Sequence, residues 1–127
     1  MTQEHKDLLL KDLCARLPYG VKVEYENKIF DVEYVCPMYE EVKLDIPETW
    51  TIDVSEVKPY LFPLSGMTEE QYDQLYIDSR VKNDSVDILD ALANDMDAIE
   101  YLLKNRFDIF GLIPMGLAND ATGLNIY

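Results

Sequence analysis

Gly111 and Gly116 stand in the stretch "FDIFGLIPMGLAND" (107–120) with four residues between them. That is the glycine spacing of a phosphate-cradling loop. Such a loop also needs Lys and then Ser or Thr directly after its second glycine: the ammonium reaches the β- and γ-phosphates and the hydroxyl holds Mg²⁺. Here Leu117 and Ala118 follow Gly116. The segment before Gly111 also reads as a helix rather than a buried strand. Without either requirement the nucleotide reading fails. The stretch is expected to be a glycine-punctuated turn, a structural tail whose Phe107, Phe110, Leu112, Ile113 and Leu117 pack back on the fold.

Other candidate chemistries thin out in the same way. His5 is the one histidine, and any His-activated nucleophile would have to be built around it. Ser65, in "PLSGM", lacks the G-x-S-x-G frame that exposes a nucleophile on a strained turn. His5 is therefore expected to be a solvated helix residue. One histidine and two cysteines, Cys14 and Cys36, do not close a four-ligand zinc site. With no C-x-x-C, the two thiols are expected to be reduced and buried. Asp84, Asp87 and Asp90 recur every third residue, which lines them along one side of a helix where oxygen ligands for Mg²⁺ or Ca²⁺ could gather. No glycine occupies the sixth position of an EF-hand loop, so the stripe reads as a solvated acidic face with Asp84 as a cap. No catalytic residue, cofactor site or metal site is assigned.

The elements that would position any site follow from periodicity. Thr2 is placed to cap a first helix carrying Leu9, Leu10, Leu13, Cys14 and Leu17 on one stripe, with Lys6, Asp7, Lys11 and Asp12 mostly opposite. Pro18 and Gly20 stop it. Four runs then alternate with period two: Val21, Val23 and Tyr25; Phe30, Val32, Tyr34 and Cys36; Val42, Leu44 and Ile46; Trp50, Ile52 and Val54. Short alternating runs joined by turns at Asn27, Pro37 and Pro47 predict an antiparallel sheet with one buried face, a meander or a small SH3-like barrel. Asp53 and Glu56 suit a single capped turn. Pro59 and Pro63 then favour an extended crossing. Thr68 with Gln71 matches a capping box and Met67 with Tyr72 a hydrophobic staple, which predicts a helix to about Arg80. In "DSVDILDALANDMDAIEYLLKNRF", Asp95 would fall within the apolar stripe of one continuous helix. A break at Asn94–Asp95 is therefore expected, with a second segment ending near Asn105.

The chain has 127 residues, 48% of them hydrophobic, enough for a real core. Its 25 acids against 11 bases give a formal charge of -14. Such a field opposes direct binding to nucleic acid or to anionic membranes, because both rest on Lys and Arg. It allows a basic partner protein, and it equally suits a charge that only keeps a small protein in solution. No apolar run approaches the roughly 20 residues a bilayer requires. The mixed charges of the N-terminus do not suit a signal peptide, so a cytoplasmic setting is expected. Nine tyrosines are present, of which Tyr19, Tyr39, Tyr60 and Tyr127 are placed at turns, where an amphipathic ring serves an interface.

Three stretches, "LLLKDLCARLPYGVKV" (8–23), "VKPYLFPLSGMTEEQ" (57–71) and "KNRFDIFGLIPMGLANDATGLNIY" (104–127), carry a resemblance. They resemble a group of small proteins encoded in genomes and mobile elements, prophages included, of gut anaerobic bacteria. The resemblance implies a bacterial cytoplasm and a phage-related role, and it transfers no functional residue.

The expected fold is α+β in a single domain. Residues 1–63 form the helix and the four-stranded antiparallel sheet, and 64–127 a helical half packed on it. The expected function is that of a non-enzymatic accessory or protein-interaction protein, acting through an acidic, tyrosine-bearing face: Asp84, Asp87, Asp90, Asp97, Glu100 and Tyr101. One alternative is an acidic mimic of nucleic acid that inhibits a basic DNA-binding or defence protein. Another is a divalent-metal-binding domain or small enzyme using the acidic helix.

Overall fold

The computed structural model describes residues 1–46, 50–71, 73 and 96–127. Helix α1 spans Gln3–Arg16, and the Thr2 hydroxyl accepts the His5 amide at 3.2 Å, the cap the sequence predicts. Strands β1 (Lys22–Tyr25) and β2 (Lys28–Cys36) form a hairpin. Its two loop residues, Glu26 and Asn27, both have positive φ (49° and 64°), the backbone twist that matches two-residue hairpins. Strands β3 (Glu41–Leu44) and β4 (Ile52–Asp53) continue the meander. Asp53 then caps a single turn over Val54–Glu56 by accepting the Ser55 amide at 2.9 Å.

The architecture is α+β, with corrections to what the periodicity suggested. The sheet has six strands, in the order β4-β3-β2-β1-β5-β6, and it is not a closed barrel. The proline-flanked crossing is strand β5 (Lys58–Leu61), antiparallel to β1. From the tail comes β6 (Asn119–Asp120), parallel to β5, so the sheet is mixed. Pro59 has no N–H to give, and β6 pairs only with Tyr60 and Leu61, leaving Pro59 outside that pairing.

The C-terminal part is likewise not simply helical. Thr68 and Gln71 form the reciprocal capping box: the Thr68 amide donates to Gln71 Oε1 at 2.9 Å and the Gln71 amide to Thr68 Oγ1 at 3.2 Å. Thr68→Ala removes one half of this cap and is expected to lower stability by about 1 kcal/mol in urea denaturation. The rest of that helix, the staple partner Tyr72 and the break at Asn94–Asp95 lie outside the described residues. Helix α2 covers Met96–Lys104 and ends with Arg106 in the left-handed region, φ 61°. Beyond it, residues 107–127 run as turns and the short β6 strand rather than as helix.

Two apolar clusters result. One joins Leu9, Leu10 and Leu13 of α1 to Val21, Val23, Val32, Val42 and Leu44 of the sheet region, with Leu112 and Leu117 from the tail. The other gathers Met67, Ala98, Leu102 and Phe107. Several side chains face the opposite way from the expectation. Between Val32 and Tyr34 the β2–β3 register shifts, so Glu33 is an extra residue and the alternation reverses beyond it. Val35 then packs on the core opposite Val42, and Tyr34 is exposed. Trp50, expected on the buried face, is 73% exposed. Tyr60, expected at a turn, is buried within β5. Cys14 is exposed and Cys36 half-buried, so the thiols are free but not core groups.

Asp12 is the largest departure. It was expected on the solvated side of α1 and is fully buried, as is Arg16. Leu9, Asp12, Leu13 and Arg16 follow the i, i+3, i+4, i+7 spacing, so the inward stripe is rotated by about one residue from the all-apolar one. Arg16 donates from Nε and Nη2 to the two Asp12 oxygens at 2.8 and 2.9 Å, and from Nη2 to the Phe107 carbonyl at 2.6 Å. This one side chain ties α1 to the tail.

Candidate interaction surface

The glycine stretch runs as turns that pack back on the fold. Gly111 and Gly116 both have positive φ (71° and 76°), which a residue with a side chain adopts only at a cost. The Asp108 carboxylate accepts the amides of Leu112 at 2.8 Å and Ile113 at 2.9 Å. The Asp108 carboxylate thus caps this turn. Phe107, Leu112 and Leu117 are buried, and Phe110 and Ile113 pack against the first cluster.

Of the acidic face proposed from spacing, Asp84, Asp87 and Asp90 lie outside the described residues. Asp97 falls within α2. Glu100 is exposed; loss of hydration and then the negative charge of Glu100 push the Tyr19 phenol above its ordinary value. Tyr101 is half-buried and packs against the Met67–Leu102–Phe107 cluster. Of the two residues of the face whose side chains are described, Tyr101 thus serves the packing of α2 and Glu100 stays at the surface. His5 sits in the first turn of α1, where its backbone completes the Thr2 cap. Among the described residues no three His, Cys, Asp or Glu side chains converge to hold a metal ion.

A different surface emerges from the sheet. A groove of about 400 Å³ opens between the β1–β2 hairpin and the entry to β4. Its apolar wall comprises Tyr25, Phe30, Ile46, Trp50 and Ile52. The turn at Glu26–Asn27 brings Tyr25 and Phe30 together, their ring centroids 6.3 Å apart and tilted by 56°. Trp50 also lines the groove and is largely exposed. Three carboxylates, Glu26, Asp53 and Glu56, line the groove with one ammonium, Lys28. Lys6 meets Asp53 at 3.4 Å, and Ser55 also bonds that carboxylate through its hydroxyl and amide. These partners, Ser55 first, hold the Asp53 carboxyl below its usual range. Glu26 and Glu56 reveal themselves through Tyr25: partial burial, then the field of these two carboxylates, raises its phenol.

No protein-family model, curated protein or solved structure matches this chain. The site must therefore be read from its own geometry. An aromatic wall with an acidic edge supplies attraction for a positive charge and apolar area for the stem that carries it. Sequence reasoning treated Tyr25, Phe30 and Trp50 as core alternates, and Glu26 and Glu56 as turn residues. The available signal was the close spacing of these acids with ring residues on either side of two turns, at 25–30 and 50–56.

A second hollow, about 480 Å³, is lined by Phe62, Thr68, Asn105, Arg106 and Tyr127 among others. Here Arg106 lies 4.4 Å from the Tyr127 ring centroid and donates to the carbonyls of Tyr19 at 3.1 Å and Gly20 at 3.4 Å. The Tyr127 hydroxyl accepts the Lys22 amide and donates to the Tyr60 carbonyl, both at 2.8 Å. These contacts hold the chain end against β1 and β5.

Proposed function

We propose that the protein is a non-enzymatic accessory protein of a bacterial or phage-encoded system, which works in the cytoplasm by docking a basic segment of a partner protein. The observation that carries this reading is the exposed aromatic groove with its excess of carboxylates, on a chain whose formal charge is -14. Long-range attraction would speed the encounter with a basic partner, and the apolar wall would supply the contact that survives desolvation. Among the described residues no helix is long and apolar enough to cross a membrane.

The test is photo-cross-linking in the native cell from a probe replacing the groove residue Thr51. The expected product is an adduct to a protein bearing a basic segment, its formation suppressed by about 0.5 M salt because exposed charges are then screened. Adducts only to neutral or acidic proteins would refute the reading. So would turnover of a metabolite by the purified protein. The acid excess also suits the alternative of a nucleic-acid mimic. That reading requires the captured partner to bind DNA, and DNA to compete with this protein for it.

A further inference from the structure

We infer that the groove recognises a single arginine side chain of the partner, seated against Tyr25, Phe30 and Trp50 and neutralised by Glu26 and Glu56. The inference rests on the proposed docking function and goes further by naming the chemical anchor.

Three features select a cation. Tyr25 and Phe30, whose rings are in contact, line the groove together with the exposed Trp50. The negative faces of aromatic rings attract a cation, and tryptophan does so best. The carboxylates outnumber the ammonium in the lining by three to one. Of the three, Asp53 is already met by Lys6, whereas Glu26 and Glu56 belong to none of the ion pairs formed among the described residues. A cation entering the groove thus meets two carboxylates without a basic partner.

Arginine suits this setting better than lysine. Its planar guanidinium stacks on ring faces while its edge forms forked bonds to carboxylates, and it surrenders hydration more readily than a compact ammonium. The half-apolar lining penalises the strongly hydrated ion most. Lys28, paired across the hairpin from Tyr25, repels a second positive charge and favours one anchor over a polybasic run.

The chain contains one tryptophan, Trp50, so fluorescence excited at the red edge, where tyrosine does not absorb, reports on this groove. The probe is the capped peptide Gly-Ser-Gly-Arg-Gly-Ser-Gly, compared with versions carrying Lys or the neutral isostere citrulline at the centre. Titration is followed by Trp50 fluorescence and by amide NMR shifts. The arginine peptide is expected to perturb Trp50 and residues 25–30 and 51–56, and to bind about tenfold tighter than the lysine peptide. The citrulline peptide is expected to leave both signals unchanged. Glu26→Gln with Glu56→Gln, and separately Trp50→Ala, should each weaken binding about tenfold. These groups line the surface, so the NMR dispersion of the variants should match the parent. Glu69→Gln with Glu70→Gln removes the same charge at exposed positions away from the lining and should leave affinity unchanged.

Equal affinity for the arginine and lysine peptides, or full affinity in the groove variants, overturns the inference while leaving a basic partner in place. So does a cellular cross-link at Thr51 to a basic segment without arginine. Failure of both charged peptides to perturb any resonance overturns the arginine anchor and also counts against the docking function.

Discussion

Arg16→Ala is expected to destabilise the fold by about 3–5 kcal/mol, because it leaves the Asp12 carboxylate buried without its partner. Against a typical total of about 5–15 kcal/mol, that loss would be conspicuous in a urea or thermal melt. Both charges are fully buried, and the guanidinium makes three bonds: two to Asp12 and one to the Phe107 carbonyl. Its remaining nitrogen, Nη1, is buried with no hydrogen-bond partner among the described residues, so these residues do not complete a cage around the pair. For that reason the pair as a whole need not add stability. Replacing both members together, Asp12→Leu with Arg16→Met, should recover most of what the single substitution loses.

The pH dependence distinguishes an orphaned charge from simple lost packing. Burial pushes the Asp12 carboxyl above its ordinary 3.8, Asp108 adds to that rise, and Arg16 opposes it. A carboxyl raised on folding contributes stability that is fully present below 3.8 and is lost as pH rises through its folded value. Removing Arg16 removes the opposing influence and carries the folded value higher still. The deficit of Arg16→Ala should therefore be smallest near pH 3 and widen towards pH 7. A deficit independent of pH would mean that lost packing, rather than the stranded carboxylate, sets the cost.

Phe107→Ala is the second large effect, expected at about 3–5 kcal/mol. The ring is 2% exposed and packs with Met67, Ala98 and Leu102, and its neighbour Phe62 lies 6.3 Å away between centroids. The Phe107 carbonyl also receives Arg16, and the Phe62 amide and carbonyl bond Arg106 and Asp108 at 2.8 Å each. The ring fills the second cluster, whereas the β1–β2–β3 region belongs to the first. Amide exchange should consequently accelerate most at 62–67 and 98–108 and least at 21–44. Uniform acceleration along the chain would show that the two clusters unfold only together.

Much of the local structure was legible because its causes are local. The Thr2 cap, the Asp53 turn and the Thr68–Gln71 box each depend on a side chain and an amide two or three residues away. The hairpin at Glu26–Asn27 depends on two residues accepting positive φ. The tail's turns could likewise be separated from a phosphate loop, since the chemistry lacking there is adjacent in sequence. Where the reading failed, distance along the chain was the reason. Nothing near Asn119–Asp120 marks it as a strand, because its pairing partner is Tyr60–Leu61. Tyr34 and Val35 exchanged faces because of one extra residue, which only the pairing with β3 reveals.

Composition and pattern by themselves determined the α+β class, the N-terminal helix and the strongly acidic charge. Tertiary structure alone decided that Asp12 and Arg16 turn inward, that the tail completes the sheet, and that three aromatic side chains share a groove with carboxylates from two separate turns. The physical reason is the range of the forces involved. Capping and periodicity act within a turn or a strand, whereas burial and charge pairing depend on which distant segments are brought into contact.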